Sequence, residues 1–477
     1  MAKSLRTQKI RTSAGDPFEF CELGRKRYAE ILTSIIETYS DGFVLALNNK
    51  WGEGKTTFIE MWRLYLGQSE RAFQTLYFNA WEHDFNHDPL SAILSELKSL
   101  KIYDKQEFAP LIKKGAKLTR SLIPVFLNAV AEKYVDTKIL KDAFQKLSEE
   151  AASIFEEEVN EYANKKKGLE DFKKELETYV SKIEKKPLIF FIDELDRCNP
   201  KYAVELLEIV KHFFSVPGIV FVLSIDKSNL INSVKGYFGS SEMDGNEYLR
   251  RFIDLEYSLP TPILDDYIHY MFQKSGINDF LKAENRRLDQ NLSKENDTFY
   301  NLAYAFFNDS EVNLRQIEKI LFHCSIILKT YSIRHYTIPK ALFIILFIKF
   351  IEPNFYRLIK NSQLNYQEFL DQLYDFISPK IKKGKDVNFG DIESLLLVLY
   401  NNNIANKELN IWETIENDEG IEEKLIVTPR LYSKKSSYDK EFAYFVKKNN
   451  EEVNKGDKIS LDYFISRIEI MHDLKRE

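Results

Sequence analysis

Cysteine is scarce in this chain of 477 residues, and the few cysteines show no pairing pattern. Cys21, Cys198 and Cys324 lie far apart, without the short spacings of zinc sites or redox motifs. Isolated thiols of this kind are typical of proteins in a reducing compartment. We therefore expect a cytoplasmic protein without disulfides.

Long apolar runs are also missing. The longest, Ala341 to Ile351, has about 11 residues and contains Lys349, whereas a membrane-spanning helix needs about 20. This run predicts a buried helix and no transmembrane segment. The first residues, Met-Ala-Lys-Ser-Leu-Arg, do not lead into the apolar stretch of a signal peptide, so secretion is not expected.

An excess of positive charge is absent as well. The formal net charge is −6, which argues against a surface built to bind nucleic acid, although local basic patches stay possible. The lysines around Lys165 to Lys167 alternate with glutamate, which is typical of a solvated helix face. Hydrophobic residues make up 44% of the chain and charged residues 29%, as in globular proteins, and the length predicts two or three folded units.

The most informative motif is a loop between a short apolar strand, Phe43 to Leu47, and a helix beginning at Lys55. The phosphate-loop pattern is Gly, four residues, then Gly-Lys-Thr/Ser. Asn49 stands where the first glycine belongs. Because asparagine tolerates positive φ, we expect Asn49 to replace the glycine by adopting that conformation. The predicted nucleotide-binding residues of the loop are Asn49, Lys50, Trp51, Gly52, Glu53, Gly54, Lys55, Thr56 and Thr57.

The chemistry of such a loop follows from its backbone. N–H groups at a helix N-terminus bind phosphate oxygens, and the Lys55 ammonium would reach the β and γ phosphates. Gly52 would leave the loop free to wrap around the phosphates. The Thr56 hydroxyl would bind magnesium. ATP and Mg²⁺ are therefore the predicted cofactors.

A second motif follows the apolar run Leu188 to Ile192, which predicts a strand buried on both faces. Asp193 and Glu194 come directly after it, and adjacent buried carboxylates are costly unless they meet a cation or solvent. We expect Asp193 to hold magnesium through water and Glu194 to orient and deprotonate the attacking water. Asp196 and Arg197 follow, and both also fit a salt-bridged surface pair.

Several further side chains have two readings. Ser224 and Asp226 close a strand over Ile219 to Ile225, where a polar sensor of the γ-phosphate would lie, and Asp226 fits equally well as a helix N-cap. Hydrolysis also needs a cation on the transferred phosphoryl group, and the candidates are Arg250, Arg251 and Arg315. Trp81 is expected to fill the core beside the phosphate loop rather than to stack on the nucleotide.

Alternating strands and helices predict a three-layer α/β sheet of the P-loop NTPase type. The predicted core is 1–96 and 187–262, interrupted by a helical insertion over 97–186 that is rich in Lys and Glu. A helical lid over 263–335 and a helical region over 336–477 complete the division. A last, edge strand is expected at 252–257, with no strand beyond it and a polar loop at about 402–424.

Several segments together resemble the KAP family of P-loop NTPases, a branch near the AAA+ and STAND ATPases. They occur in the family order over roughly Phe18 to Leu328, and the Asn-Ala-Trp and Asp-Glu-Leu-Asp-Arg-Cys stretches are the most specific. The matching segments are Leu23-Gly24-Arg25, Asn49 to Thr56, Phe78-Asn79-Ala80-Trp81, Phe191 to Cys198, Phe221 to Asp226, Tyr248 to Phe252 and Asn313 to Ile317.

The resemblance implies an ATPase core of the additional-strand (ASCE) type and a helical lid whose arginine matches Arg315. Many relatives carry transmembrane helices in the insertion, whereas here only Leu122 to Val130 is locally apolar. Bacterial members resemble components of phage exclusion and other defence systems in which ATP binding drives assembly. The resemblance therefore implies a homo-oligomeric assembly switch or scaffold, with other defence-system proteins as partners.

Two other functions compete with this one. A motor or loader acting on nucleic acid would need a basic track, which the acidic average disfavours. A metabolic kinase would use the same loop, but such enzymes are usually shorter and seldom combine a carboxylate pair after a remote strand with a lid arginine.

Overall fold

The computed structural model describes residues 15–118 and 166–469, apart from short gaps. The gaps are at 22, 69–70, 86–87, 101–104, 214–215, 290–291, 309–311, 333–336, 384–386, 405–410, 418–419, 431–437 and 455–457. The chain forms two compact units, Met1–Thr261 and Pro262–Glu477.

A five-stranded parallel sheet forms the centre of the first unit. The strands are β1 (Val44–Asn48), β2 (Thr75–Asn79), β3 (Leu188–Asp193), β4 (Ile219–Ile225) and β5 (Leu255–Tyr257). They lie in the order β2-β3-β4-β1-β5, so β4 separates the phosphate-loop strand β1 from the acidic strand β3. This arrangement confirms the predicted additional-strand sheet of a P-loop NTPase.

Helices cover both faces of this sheet. Their bounds are α1 (Lys26–Thr38), α2 (Lys55–Leu66), α3 (Ala80–His83), α4 (Pro89–Leu97), α5 (Lys105–Leu118), α6 (described over 166–181), α7 (Pro200–Phe213), α8 (Lys227–Phe238) and α9 (Gly245–Leu249). Side chains of one strand alternate between the faces, so Leu45 packs with the cluster around α1 and α2, whereas Ala46 packs with the cluster on the opposite face. The sheet is therefore the middle of three layers.

The described ends of the predicted insertion pack on the core. Phe108 and Leu111 of α5, with Phe172 and Leu176 of α6, are buried in the same cluster as β3 and β4. The centre of the insertion, including Leu122 to Val130, lies outside the described residues. The helical structure predicted for this centre stays a prediction.

The second unit is mostly helical, as expected. Its helices are α10 (Leu264–Ser275), α11 (Ile277–Leu281), α12 (Glu284–Arg287), α13 (Glu295–Asn308), α14 (Leu314–Leu328), α15 (Pro339–Ile351), α16 (Pro353–Lys360), α17 (Tyr366–Ile377), α18 (Phe389–Ile404), α19 (Tyr438–Val453) and α20 (Leu461–Ile468). The apolar run at Ala341 to Ile348 is buried within α15, which confirms the predicted buried helix. The proposed boundary between lid and C-terminal region, at 335, stays a prediction.

One strand prediction was wrong, and the predicted edge strand is confirmed with a later start. The polar stretch at 402–424 contains an antiparallel hairpin of β6 (Trp412–Asn417) and β7 (Gly420–Leu425). Charged residues fill much of both strands, which hides the alternation that predicts a strand. In addition, the edge strand β5 begins only at Leu255, because Arg251 and Phe252 continue the turn after α9.

Candidate nucleotide site

The phosphate loop joins the end of β1 to the first turn of α2. Gly52 and Gly54 have φ of 84° and 79°, values that glycine adopts without strain. A Cβ on Gly54 would also lie 3.1 Å from Nη1 of Arg25. Both glycines are therefore required by the backbone path that points the loop's N–H groups at a ligand.

Arg25 stabilises this loop through hydrogen bonds to its backbone carbonyls. Its guanidinium is 2% exposed and donates from Nη1 to the carbonyl of Gly54 at 2.8 Å and from Nη2 to that of Glu53 at 2.6 Å. These bonds occupy carbonyl oxygens on the side away from the N–H groups. Arg25 thus fixes the loop without contributing to its ligand face.

Lys55 lies at the N-terminus of α2 and is 8% exposed. Its ammonium donates to the carbonyls of Asn49 and, at 3.2 Å, Lys50. Burial lowers the pKa of Lys55, while the carboxylates of Asp196, Asp226, Asp193 and Glu53 act in the opposite direction. A buried ammonium among acceptors is suited to bind an anion that enters the loop.

Asn49 does not replace glycine in the way that we expected. It is not among the residues with positive φ in the described chain. Instead its side chain donates to the Glu53 carboxylate at 2.9 Å and exchanges two hydrogen bonds with the backbone of Leu259. The explanation by positive φ was therefore wrong, and the amide group is what the position uses.

The Asp193 carboxylate meets the phosphate loop across the end of the sheet. Asp193 is 1% exposed and accepts hydrogen bonds from the hydroxyls of Thr56 at 2.8 Å and Tyr77 at 3.1 Å. Burial and the adjacent Asp193 raise the pKa of Tyr77, which keeps that hydroxyl a donor. Hydroxyl and carboxylate oxygens are hard ligands that suit Mg²⁺.

The rest of the described chain offers no group of three or more His, Cys, Asp or Glu side chains that could enclose a metal ion. Magnesium in proteins usually keeps several waters and is bound through one or two side chains plus substrate phosphates. Thr56 and Asp193 together fit that mode of binding.

Glu194 follows in a strained conformation, with φ of 59°. Asn79, at the end of the neighbouring strand β2, donates to its carboxylate at 3.1 Å, and Arg197 forms an ion pair with it at 2.7 Å. The Glu194 side chain is 14% exposed. The Glu194 carboxylate is therefore fixed by two partners but still accessible to solvent, which suits a group that must orient a water molecule.

Asp196 and Arg197 do not form the salt-bridged surface pair that was one interpretation of the sequence. Asp196 is buried, and the indole N–H of Trp51 donates to it. The Arg197 guanidinium lies 5.7 Å from the ring of Trp51 and 5.8 Å from that of Trp81. Trp81 is 53% exposed, so its predicted role as a core plug was wrong.

Ser224 and Asp226 lie at the end of β4. Ser224 is fully buried between Leu47 of β1 and Asp193 of β3 in the strand register, and its hydroxyl has no hydrogen-bond partner among the described residues. Asp226 caps α8 by accepting from the N–H of Asn229 at 3.4 Å. Asp226 is therefore a helix N-cap, and its role as a γ-phosphate sensor stays a prediction.

The three arginine candidates lie in different surroundings. Arg250 is exposed and pairs with Glu247 at 3.0 Å, and Arg251 is half-buried beside Tyr248. Arg315 is exposed in the first turn of α14, in the second unit. Their roles at the phosphate stay predictions.

Three residues of this site were not assigned from the sequence. Arg25 and Asn79 occur in segments that match the family but have no predicted role of their own, and no sequence pattern marks Tyr77. Two signals were available: a basic residue after Gly24, and an amide one residue beyond the last apolar position of β2. Their contacts depend on pairing across the sheet, where Asn79 aligns with Asp193, and no local pattern shows that pairing.

The loop, the acidic strand and the strand order define a P-loop domain of the nucleotide-binding class. A family model for the KAP family P-loop domain matches residues 25–331, which is more than half of the chain. The chain belongs to the KAP family of P-loop NTPases. The family resemblance seen in the sequence is thereby confirmed.

Individual relatives add little about function. An uncharacterized protein of Methanocaldococcus jannaschii is 29% identical over 169 residues, which cover 31% of this chain and 87% of the relative. The solved structure of the Aeropyrum pernix ORC2 protein, in ADPNP and ADP complexes, aligns over 91% of this chain and 95% of that one. Its identity is 12% and the TM-score is 0.34, which is too low to support a statement about function.

A helix that crosses a membrane must be both long and apolar, and none of the helices in the described part of the chain meets both requirements.

Proposed function

We propose that this protein binds and hydrolyses Mg-ATP and uses the nucleotide as a switch for assembly. The observation that carries the proposal is the 2.8 Å hydrogen bond between the hydroxyl of Thr56 and the carboxylate of Asp193. It brings the phosphate loop and the acidic strand to one point, although another strand separates β1 from β3. A magnesium ion bound there would neutralise charge on the β and γ phosphates.

The remaining residues have separate roles in this proposal. The loop N–H groups from Lys50 to Thr57 bind the phosphates, since the N–H of Asn49 donates to the carbonyl of Ile225. Lys55 moves from the loop carbonyls to the phosphate oxygens. Glu194, held by Asn79 and Arg197, orients the attacking water and accepts its proton. Ser224 and Asp226, at the end of β4, are proposed to sense the γ-phosphate.

A second cation on the transferred phosphoryl group is assigned to Arg315, with Arg250 and Arg251 as the alternatives. Arg315 is exposed in the first turn of α14, so its side chain is open to solvent and to a second copy of the chain. We expect Arg315→Ala to lower the rate of hydrolysis by at least about 100-fold, since such arginines contribute large factors to phosphoryl transfer. A smaller effect than that of Arg251→Ala would transfer the role to Arg251.

The assembly switch itself rests on the family resemblance, as do homo-oligomerisation, defence-system partners and a cytoplasmic setting. ATP hydrolysis and particle mass should be measured together for the wild type, Lys55→Ala and Glu194→Gln, with and without DNA. We expect slow hydrolysis by the wild type, none by Lys55→Ala, and an ATP-bound oligomer with Glu194→Gln. Hydrolysis that DNA stimulates strongly would favour a nucleic-acid motor, and failure of the wild type to bind nucleotide would overturn the proposal.

A further inference from the structure

Asn49 connects the phosphate loop to the segment that follows β5. Its Oδ1 accepts the N–H of Leu259 at 2.8 Å, and its Nδ2 donates to the carbonyl of Leu259 at 2.9 Å. A two-way exchange with the N–H and carbonyl of one residue is the pattern of an antiparallel pair, whereas β1 and β5 are parallel and end their pairing at Leu47 and Tyr257. The Asn49 side chain therefore adds a separate link between the segments that follow these two strands.

The main chain of Asn49 is engaged at the same time. Its N–H donates to the carbonyl of Ile225 at 3.2 Å, and its carbonyl accepts from the ammonium of Lys55. Charged phosphate oxygens are stronger acceptors of an ammonium N–H than a peptide carbonyl. A phosphate in the loop would therefore draw Lys55 away from Asn49 and change the contacts of the residue that holds Leu259.

Leu259 is well placed to pass such a change along the chain. It is 3% exposed and packs in the cluster of α1 and α2, and Pro260, Thr261 and Pro262 follow directly. Proline fixes φ, so this short segment is stiff. The second compact unit begins at Pro262, only three residues after Leu259.

We propose that Asn49 couples occupation of the phosphate loop to the segment from Leu259 to Pro262, which leads into the second unit. Asn49 is in this view a positioning residue, and its amide makes two hydrogen bonds to Leu259 that a glycine at the same position could not make. The inference rests on the proposed binding of a nucleotide and adds its structural consequence. Bound phosphate holds the loop in one conformation and so stabilises the bonds between Asn49 and Leu259.

The test is hydrogen–deuterium exchange of the segment Ser258 to Ile263, with and without saturating Mg-ADPNP. The two prolines have no N–H, so the amides to follow are few and the Leu259 amide is the one bonded to Asn49. In the wild type we expect ADPNP to slow exchange at Leu259 at least threefold. In Asn49→Ala, exchange should be about tenfold faster without nucleotide and should not respond to ADPNP.

Asn48→Ala is the matched control. The Asn48 amide donates to Glu256 at 2.7 Å and accepts from the N–H of Lys227 at 3.0 Å, so its loss removes a neighbouring link to β5 without touching Leu259. We expect Asn48→Ala to keep the response of Leu259 to ADPNP. If Asn49→Ala does not fold, Asn49→Gly carries the same test, because glycine is the usual residue of the motif.

ADPNP binding is measured separately by calorimetry so that the two proposals can fail separately. Binding to the wild type without a change at Leu259, or a change that persists in Asn49→Ala or Asn49→Gly, would overturn the coupling and leave the proposed function intact. Absence of binding to the wild type would overturn both.

Discussion

Arg197 and Glu194 form an ion pair, with 2.7 Å between Nη1 and Oε1, directly after the acidic strand. The same guanidinium lies near the rings of Trp51 and Trp81, so its position is fixed from three sides. The carboxylate proposed to orient the attacking water is therefore itself oriented by a residue anchored beside the phosphate loop.

We expect Arg197→Ala to lower kcat for ATP hydrolysis about tenfold while KM changes less than threefold. The reason is that Glu194 keeps Asn79 as a partner but loses its second restraint, and misorientation acts on the chemical step rather than on binding. Steady-state phosphate release measures both constants. Lys201→Ala, which removes an exposed charge in the next helix, is the control. An unchanged or higher kcat would contradict the role given to Arg197.

Arg25 and Arg27 provide a second, matched pair of variants. Arg25→Ala removes two hydrogen bonds to half-buried loop carbonyls and should lower the free energy of unfolding by about 2–4 kcal/mol. It should also weaken nucleotide binding at least tenfold, since the loop loses its support. Arg27 is exposed two residues further on, and its replacement should change stability by no more than about 0.5 kcal/mol. Urea unfolding and calorimetric titration give the two readouts, and equal effects from both variants would refute the support role.

Gly54 and Gly67 test the backbone requirement at the two ends of the same helix. Gly54→Ala places a side chain at φ of 79° and 3.1 Å from Arg25. We expect this variant to lose about 1–2 kcal/mol of unfolding free energy and to show no measurable nucleotide binding. Gly67 has φ of −81°, and alanine fits there at ordinary contact distance. Gly67→Ala should be neutral or stabilise the fold slightly. Thermal unfolding of both variants distinguishes a conformational requirement from general sensitivity of α2.

His212 should make stability depend on pH. Burial, reinforced by Lys173 and Lys211, lowers the pKa of His212 to about 4, below its ordinary value of 6.5. Between pH 6.5 and about 4, His212 is protonated in the unfolded chain but neutral in the folded chain. The contribution of His212 to stability is therefore present above pH 6.5 and lost as the pH falls towards 4.

Between pH 7 and pH 5 the wild type should lose about 2 kcal/mol more of its unfolding free energy than His212→Gln does. Urea unfolding at the two pH values measures the difference. His269→Gln, which replaces an exposed histidine, should behave as the wild type. Parallel losses in wild type and His212→Gln would show that this imidazole does not contribute.

Much of the core fold could be predicted from the sequence, because its strands are short apolar runs that end in chemically distinctive residues. Asp193 marks the end of β3 in this way, the phosphate loop that leads to Lys55 follows β1, and the family resemblance supplied the strand order. The hairpin of β6 and β7 could not be found, since residues such as Glu422 and Lys424 replace the apolar alternation. Nothing in the local composition distinguishes that segment from a polar loop.

The site was predicted less completely than the fold, for a similar reason. The loop residues can be identified from a linear sequence motif, whereas Tyr77 and Asn79 reach the site only because β2 pairs with β3 in a particular register. Asn49 shows a further limit. Its substitution for glycine was visible, but its purpose depends on Leu259, which lies 210 positions along the chain.

The exposed indoles of Trp51 and Trp81 give this protein built-in fluorophores at the rim of the phosphate loop. The chain has four tryptophans; Trp62 is buried in the core, and Trp412 belongs to the hairpin of the second unit. The two solvated rings lie near a guanidinium, and one of them donates to a carboxylate, so their emission depends on the charged groups around them. Light emitted by the unlabelled protein therefore carries information from the edge of the sheet where the phosphate loop lies.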